Sequence, residues 1–544
     1  MRIDNALLQQ RTQLSIAIVG GGIAGSTIAL RLCEENRLAE DHIFENITLF
    51  ESKASLVNGP PFCHLHAGGN LYREISDAQC IVLLKQSIDT VRANPHCFEK
   101  RPTVLFVPKD DTMAPPSKLI ERLLVLQDVY ANLAAEDPAN QVLGDPGQYF
   151  SLFSQEDLQR LRNITLDEEF LVTDLKESER WLLPVVTNLA SLDDFKYPVI
   201  LVQEFGWNMF RQAAACSLAL EDFTKEFLNL QLNSSLTDIQ RTESGKWQVF
   251  CKPSGMSEHE EHLAGQFDVL INTAGWKSGS IDDLVISSLM GSLHVDIPDR
   301  MTECKASYLT ENIAVGVETE SDLPWPEIIF HGERGTPKGM IQMNPMCGGY
   351  FQIHGMTKNV TLFDGGLVRN THNSAQPVFK NDLGNKLSAV WEKEDLLIRT
   401  GNAVDLAGKY FVPRKHLQKS ILPGIKLKVL SSLPQPFYGA VQIPGTDPNF
   451  RATNGISFLR NDIKSYVRIE IVKASNAISC AEDLINLLYN TYFGRTAPSK
   501  IPGIEERYRT LASLPCEVII ERAREICIAR SYPLSLAEPY PFKL

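Results

Sequence analysis

No stretch of this chain approaches the roughly 18 apolar residues that a membrane span needs. The first residues, Met1-Arg-Ile-Asp-Asn-Ala-Leu-Leu-Gln-Gln-Arg11, lack both the apolar core and the small-residue cleavage site of a secretion signal. The two absences together predict a cytoplasmic protein, with peripheral contact to a membrane surface left open. Dense lysine and arginine patches are missing as well. The formal net charge of −13 opposes non-specific nucleic-acid binding. Eleven cysteines are scattered singly, without a C-x-x-C pair or a disulfide framework, so reduced and mostly buried thiols are the simplest expectation. Metal-ligand spacing is also missing. Cys63-His64-Leu-His66 has no companion pair, and Ser257-Glu-His-Glu-Glu-His262 reads as a solvated charged loop, so no metal is expected.

What the chain does have is ordinary globular composition over 544 residues, with 44% hydrophobic and 22% charged residues, enough for two or three domains. Its most informative stretch is Ile16-Ala-Ile-Val-Gly20-Gly-Gly22-Ile-Ala-Gly25-Ser-Thr-Ile-Ala-Leu-Arg-Leu32. A buried-strand run enters a G-x-G-x-x-G turn and leaves as a helix. Such a turn lets the backbone approach a pyrophosphate, which sits on the helix N-terminus where free N–H groups and the dipole favour negative charge. Gly20, Gly22, Ile23, Ala24 and Gly25 are the residues expected to hold it. The next strand, Ile47-Thr-Leu-Phe-Glu51, ends in the acid expected to bond an adenosine ribose, followed by Ser52. Glu51 lies 26 residues beyond Gly25, against about 20 in the usual pattern. The polar insert Glu34–His42 absorbs the excess. A glycine-rich turn can also be a plain loop, but strand before, helix after and acid beyond together predict a dinucleotide site.

Further along, helices are expected over Asp77–Arg92, Leu119–Ala135, Trp207–Leu220 and Ser475–Leu488, with two more beyond Pro502. Thr103–Val107 and Phe227–Leu232 read as strands, and Thr237–Gln240 with Trp247–Cys251 as a hairpin. Phe267–Ser278 reads as a buried strand ending in a small-residue turn, residues 285–435 as many short β-like runs, and Tyr466–Val472 as a last strand. Dinucleotide-type units thus recur at the start, middle and end of the chain. The expected architecture is α/β: a Rossmann-like domain assembled from residues 14–95, 197–284 and 436–490. An α+β, mostly antiparallel substrate or cap domain (96–196 and 285–435) is inserted, and a helical C-terminal extension covers 491–544. The ligand would lie at the carboxyl ends of the strands, facing the inserted domain.

A second fingerprint is missing, which disfavours separate FAD and NAD(P) domains. The glycine turn with Glu51, the segment His64-Leu-His-Ala-Gly-Gly-Asn-Leu-Tyr72 and the strand end Asp268–Gly275 together resemble the FAD-dependent oxidoreductases of the D-amino-acid oxidase superfamily, nearest the 2-hydroxyglutarate oxidase and glycerol-3-phosphate dehydrogenase branches. The similarity covers residues 14–110 well, 200–280 moderately and the rest loosely. It implies FAD as cofactor, with His66, Ala67, Gly68 and Gly69 along the flavin ring and Thr273, Ala274 and Gly275 at the cofactor. Two departures are visible. The C-terminal flavin segment, glycine-rich in the family, would be Arg468-Ile-Glu-Ile-Val-Lys-Ala-Ser475, in which Lys473 either faces the flavin N1–C2=O edge or is a solvated strand end. The family's Arg-Pro is replaced by Gln442 in Gly439–Pro444, so its carboxylate-binding arginine cannot be carried over.

Oxidising an alcohol on a flavin also requires a base for the hydroxyl proton, and neutral histidine suits that role. His66 is the first candidate, with His64 and His354 behind it. Arg73, Arg334 and Arg451 are each able to grip a substrate carboxylate, although structural arginine is the default for all three. The expected function is oxidation of a C–OH or C–NH bond of a small acid-bearing substrate, with oxygen or a quinone as acceptor. Two alternatives stay open: an NAD(P)H-dependent FAD monooxygenase, and a flavoprotein serving as a maturation or interaction partner through residues 490–544.

Overall fold

The computed structural model describes residues 13–39, 42–59, 62–65, 75–113, 115–164, 175–254, 260–289, 295–297, 301–311, 324–333, 336–355, 367–378, 398, 402, 405–411, 437–442, 455–494 and 503–540. Two sheets dominate it. The first has six strands in the order Ile456–Ser457, Tyr466–Ile469, Val269–Asn272, β1 (Leu14–Val19), β2 (Phe44–Phe50) and Leu228–Gln231. Every neighbouring pair is parallel except the edge pair Ile456–Ser457 and Tyr466–Ile469. β1 is buried along its whole length, as a central strand covered on both faces must be. Its side chains alternate between two cores. Ile16 and Ile18 join the core that includes residues of α1 (Ile23–Leu38) and of the helices Met209–Phe223 and Asn476–Leu488. Ala17 and Val19 join Ile239, Trp247, Val249, Phe267 and Val285, under a three-stranded antiparallel sheet and the helix Ser278–Leu289.

The second sheet is nine-stranded and runs Leu367–Arg369, Met301–Glu311, Tyr350–Gly355, Ile341–Met346, Glu327–Phe330, Thr103–Pro108, Phe195–Val202, Phe150–Phe153, with Phe437–Gln442 branching off Met301–Glu311. It is antiparallel except where Glu327–Phe330 runs parallel to Thr103–Pro108. The α/β architecture with a parallel, segmented Rossmann-like sheet and an antiparallel second layer is therefore as expected. Two strands fall elsewhere than the sequence division placed them. Phe195–Val202 overlaps the 197–284 segment and Phe437–Gln442 the 436–490 segment, yet both belong to the antiparallel sheet. Each is bound there by a ladder to its neighbour, Thr103–Pro108 or Met301–Glu311.

The C-terminal helix Cys516–Ala529 packs on Met209–Phe223, and Leu536 and Ala537 beyond it are fully buried. Asn208 Nδ2 donates to the Leu536 carbonyl at 2.8 Å, and Tyr540 N–H donates to Glu99 at 2.8 Å while its hydroxyl accepts from Trp325 N–H at 2.8 Å. This extension is part of the core. Among the described residues, no helix is long and apolar enough to cross a membrane.

A buried polar knot stitches the parallel sheet to its covering helix. Asp282, fully buried on Ser278–Leu289, accepts from the Tyr466 hydroxyl and from Arg468 Nη1 at 3.0 Å, and Asn272 Nδ2 donates to the Tyr466 hydroxyl at 2.8 Å. Removing the carboxylate takes a buried opposite charge away from a buried guanidinium, which costs more than the pair itself contributes. Asp282→Ala is expected to lower the unfolding free energy by about 3–5 kcal/mol, read from urea denaturation at neutral pH.

Candidate active site

The glycine turn grows out of the carboxyl end of β1. Gly20 has a φ of +106° and donates its N–H to the Phe50 carbonyl at 2.8 Å, tying the ends of β1 and β2 together. Only glycine reaches this backbone conformation without strain. A Cβ on Gly20 would lie 2.6 Å from the Thr273 carbonyl oxygen, and one on Gly25 would lie 1.9 Å from the Gly20 carbonyl oxygen. Both glycines are there for close packing. Gly22 is different, because a Cβ there would meet nothing within 4 Å. It stands at the head of α1, whose first turn has no side-chain cap and no acidic residue. An uncapped helix N-terminus facing open space through a glycine is built to accept an anion. This is the fit that a dinucleotide diphosphate requires.

The neighbouring elements complete the cradle. Glu51 is buried at the end of β2 and accepts from Gly21 N–H at 2.7 Å and Lys53 N–H at 2.8 Å, with the Ser52 hydroxyl at 3.3 Å. Each carboxylate oxygen keeps acceptor capacity for a ligand hydroxyl. Thr273 donates its hydroxyl to the Val19 and Gly20 carbonyls at 2.9 and 2.8 Å, locking the end of Val269–Asn272 onto the turn. Ala274 N–H is turned inward onto Asn272 Oδ1 at 3.1 Å, and Gly275, with φ +60°, faces open space. The glycine turn, Glu51, Ser52, Thr273, Ala274 and Gly275 thus converge at the carboxyl edge of one parallel sheet.

Beside this edge lies a polar cluster that the sequence reading did not assemble. His64 ends the short strand Phe62–His64 and is buried, with Nδ1 at 3.0 Å from Glu327 Oε1. The second oxygen of Glu327 takes Arg101 Nη1 at 2.7 Å, and Gln342 Nε2 bridges His64 and Glu327. Arg101 also reaches Asn344, whose Nδ2 donates to Gln352 at 3.2 Å. Burial alone would raise the Glu327 carboxyl, but Arg101 and His64 overcome it and hold the group at about 2. Burial pushes the His64 imidazole down, against the pull of Glu327 and with help from Lys473 and Arg101. The imidazole is therefore harder to protonate than a free histidine. Lys473, between the strand Tyr466–Ile469 and the helix Asn476–Leu488, is buried rather than a solvated strand end.

The other sequence candidates are placed as follows. His66, Ala67, Gly68, Gly69, Arg73, Arg334 and Arg451 lie outside the described residues. His354 stands opposite Gln342 in the register of the antiparallel sheet, and its side chain lies outside the description. Among the described residues no group of three metal-capable side chains occurs. Sequence reading missed Glu327, Arg101, Gln342 and Asn344. Their only signal was polar residues inside otherwise apolar strand runs such as Pro326-Glu-Ile-Ile-Phe330 and Met340-Ile-Gln-Met-Asn344.

No protein-family profile matches the chain, and no curated protein is similar to it in sequence. Solved structures share its architecture. The L-alpha-glycerophosphate oxidase of Mycoplasma pneumoniae, solved with FAD bound, is 12% identical with a TM-score of 0.50, over 91% of this chain and 98% of that one. The glycerol-3-phosphate dehydrogenase of Bacillus halodurans, complexed with FAD, is 12% identical with a TM-score of 0.47, over 98% of this chain and 82% of that one. Glycine oxidase of Geobacillus kaustophilus is 10% identical with a TM-score of 0.45, over 90% and 96%. The fold is the one seen in the M. pneumoniae oxidase. The resemblance to the D-amino-acid oxidase superfamily, read from the glycine turn, Glu51 and the downstream strand, is borne out at the level of the fold.

Two outcomes check the turn and the cluster. Gly25→Ala is expected to cost at least about 3 kcal/mol of stability, because backbone must move to admit the methyl, whereas Gly22→Ala should leave the thermal midpoint nearly unchanged. Glu327 is ionised in the fold well below its unfolded value of 4.5, so its stabilisation is complete above that pH and is lost as pH falls towards 2. Wild type should accordingly lose stability between about pH 5 and 2 more steeply than Glu327→Gln, measured by urea midpoints across that window.

Proposed function

We propose that the chain is an FAD-dependent oxidoreductase that oxidises a C–OH or C–NH bond of a small acid-bearing substrate, with oxygen or a quinone as acceptor. The observation that carries this reading is the uncapped head of α1, opened by Gly22 and bordered by Glu51 and Thr273, in a fold shared with an oxidase solved with FAD. When bound, FAD supplies a hydride acceptor at its N5. The residues of the chain do the rest. The glycine turn and the first turn of α1 hold the diphosphate, and Glu51 accepts from the adenosine ribose. Buried Lys473 places positive charge where a reduced flavin ring gains negative charge.

His64, tied inward to Glu327 and Gln342, anchors the start of the segment that carries Ala67, Gly68 and Gly69 along the flavin. His66, two residues on, takes the hydroxyl proton of the substrate, with His354 as the second candidate. Arg73 and Arg334 grip the substrate carboxylate. The C-terminal extension packs into the core through Leu536, Ala537 and Tyr540, which favours an integral part of an enzyme over a detachable partner-binding arm.

Purified protein is expected to show a flavin band that one of a panel of 2-hydroxy acids, amino acids and polyols bleaches anaerobically. Oxygen or a quinone should then restore it. Bleaching only by NADPH would replace this reading with a monooxygenase, and a colourless protein that takes up no added FAD would end the flavoenzyme reading. Within the site, His66→Asn is expected to lower the rate of anaerobic bleaching by about 10²–10⁴-fold with flavin content unchanged. His64→Asn should lower flavin content as well.

A further inference from the structure

The loop that follows Glu51 folds back onto the glycine turn, and the far end of the chain holds it there. Val57 donates its N–H to the Gly21 carbonyl at 2.8 Å, and Leu56 packs against Gly21, its Cδ2 only 2.6 Å from where a Cβ on that glycine would be. Val57 has a φ of +50°, a conformation that β-branched residues adopt only when their surroundings enforce it. The enforcing group is Arg530, at the C-terminal end of the helix Cys516–Ala529. Its Nη2 donates to the Leu56 carbonyl at 2.7 Å and to the Ser55 hydroxyl at 3.1 Å, and its Nη1 donates to the Val57 carbonyl at 3.2 Å.

All three acceptors are neutral. Among the described residues no carboxylate lies within ion-pairing distance of Arg530, and its Nε is buried without an acceptor. A desolvated, unneutralised guanidinium is costly unless an anion compensates it. The carboxylate whose field reaches Arg530 is Glu51, which acts on Lys53 as well, and Lys277 adds positive charge beside Lys53. Arg530 and Lys53 thus share one carboxylate at the glycine turn, with Lys277 near Lys53. That imbalance matches a ligand carrying a diphosphate.

Building on the FAD reading above, we propose that Arg530 is a positioning residue of the dinucleotide site: the C-terminal segment latches the loop 52–58 against the glycine turn and brings an uncompensated positive charge to the ligand's diphosphate. The test uses the full-length protein stripped of flavin, titrated with FAD and separately with ADP, the adenosine diphosphate half that the loop borders.

Arg530→Met is expected to weaken both ligands about tenfold or more, and to flatten the salt dependence of ADP binding, because one cation facing the phosphates is gone. Arg530→Lys should recover the salt dependence and part of the affinity. Arg524→Ala, which removes an exposed pair with Glu538 on the same helix, should leave both ligands unaffected. Equal affinity in wild type and Arg530→Met would overturn the proposal, as would an equal loss in Arg524→Ala or a salt dependence unchanged by Arg530→Met. Thermal melts of the apoproteins separate misfolding from lost binding, and Arg530→Lys decides the outcome if the methionine variant is unstable. A wild type that binds neither FAD nor ADP would overturn the flavoenzyme reading together with this one.

Discussion

The tightest contact within the glycine turn is between its third glycine and its first. With a Cβ on Gly25 excluded by the Gly20 carbonyl at 1.9 Å, α1 lies as near β1 as two backbones can. That proximity aims the first N–H groups of the helix over the carboxyl ends of β1 and its neighbours, where a ligand can reach them. It also brings Thr273 from a strand some 250 residues away onto the same turn, its hydroxyl shared between Val19 and Gly20. The remaining strands of the parallel sheet take their places around this contact. β1 buries alternate side chains in two different cores, so a displacement of β1 would disturb both.

A second constraint joins the two layers. Glu327 is completely buried, and it is kept ionised by Arg101 on one oxygen and His64 on the other. His64 comes from a short strand beside the dinucleotide layer, whereas Glu327 belongs to the antiparallel sheet. The carboxylate is tolerable only while both partners are present, so the relative position of the layers and the charge state of the cluster depend on each other. Burial keeps these fields strong: the carboxylate lies between the Arg101 guanidinium and the His64 imidazole, and Lys473 is close enough to act on the imidazole.

The dinucleotide half was legible in the sequence because its chemistry is local. Glycines at fixed offsets, a strand before them and an acid at the end of the next strand all lie within a few dozen residues, and each has a backbone reason to be there. The cluster around Glu327 was not legible. Its members come from positions 64, 101, 327, 342, 344 and 352. Nothing short of the strand pairing says that the parallel neighbours Thr103–Pro108 and Glu327–Phe330 bring Arg101 to Glu327. The strands Phe195–Val202 and Phe437–Gln442 were assigned to the wrong layer for a related reason. An apolar strand run shows that it is buried but not which ladder it joins, and the register of non-local pairs decides that. The helix Ser278–Leu289 was hidden by a short run of small and apolar residues that reads equally as strand.

The C-terminal extension illustrates how far a function can sit from its sequence signature. Its helices pack on Met209–Phe223, its tail bonds to Asn208, Glu99 and Trp325, and its arginine at position 530 grips the loop after Glu51. These contacts place one segment against the loop at the glycine turn, against the small antiparallel sheet of Phe62–His64, Gly206–Asn208 and Phe98–Glu99, and against Trp325 just before the strand Glu327–Phe330. The glycine turn and Glu51 are tied together by their own hydrogen bonds, whereas the loop after Glu51 reaches the turn through Val57 and needs a further hold. Here the hold comes from the other end of the chain. Order in the loop beside the glycine turn therefore depends on a segment from the opposite end of the chain being packed in the core.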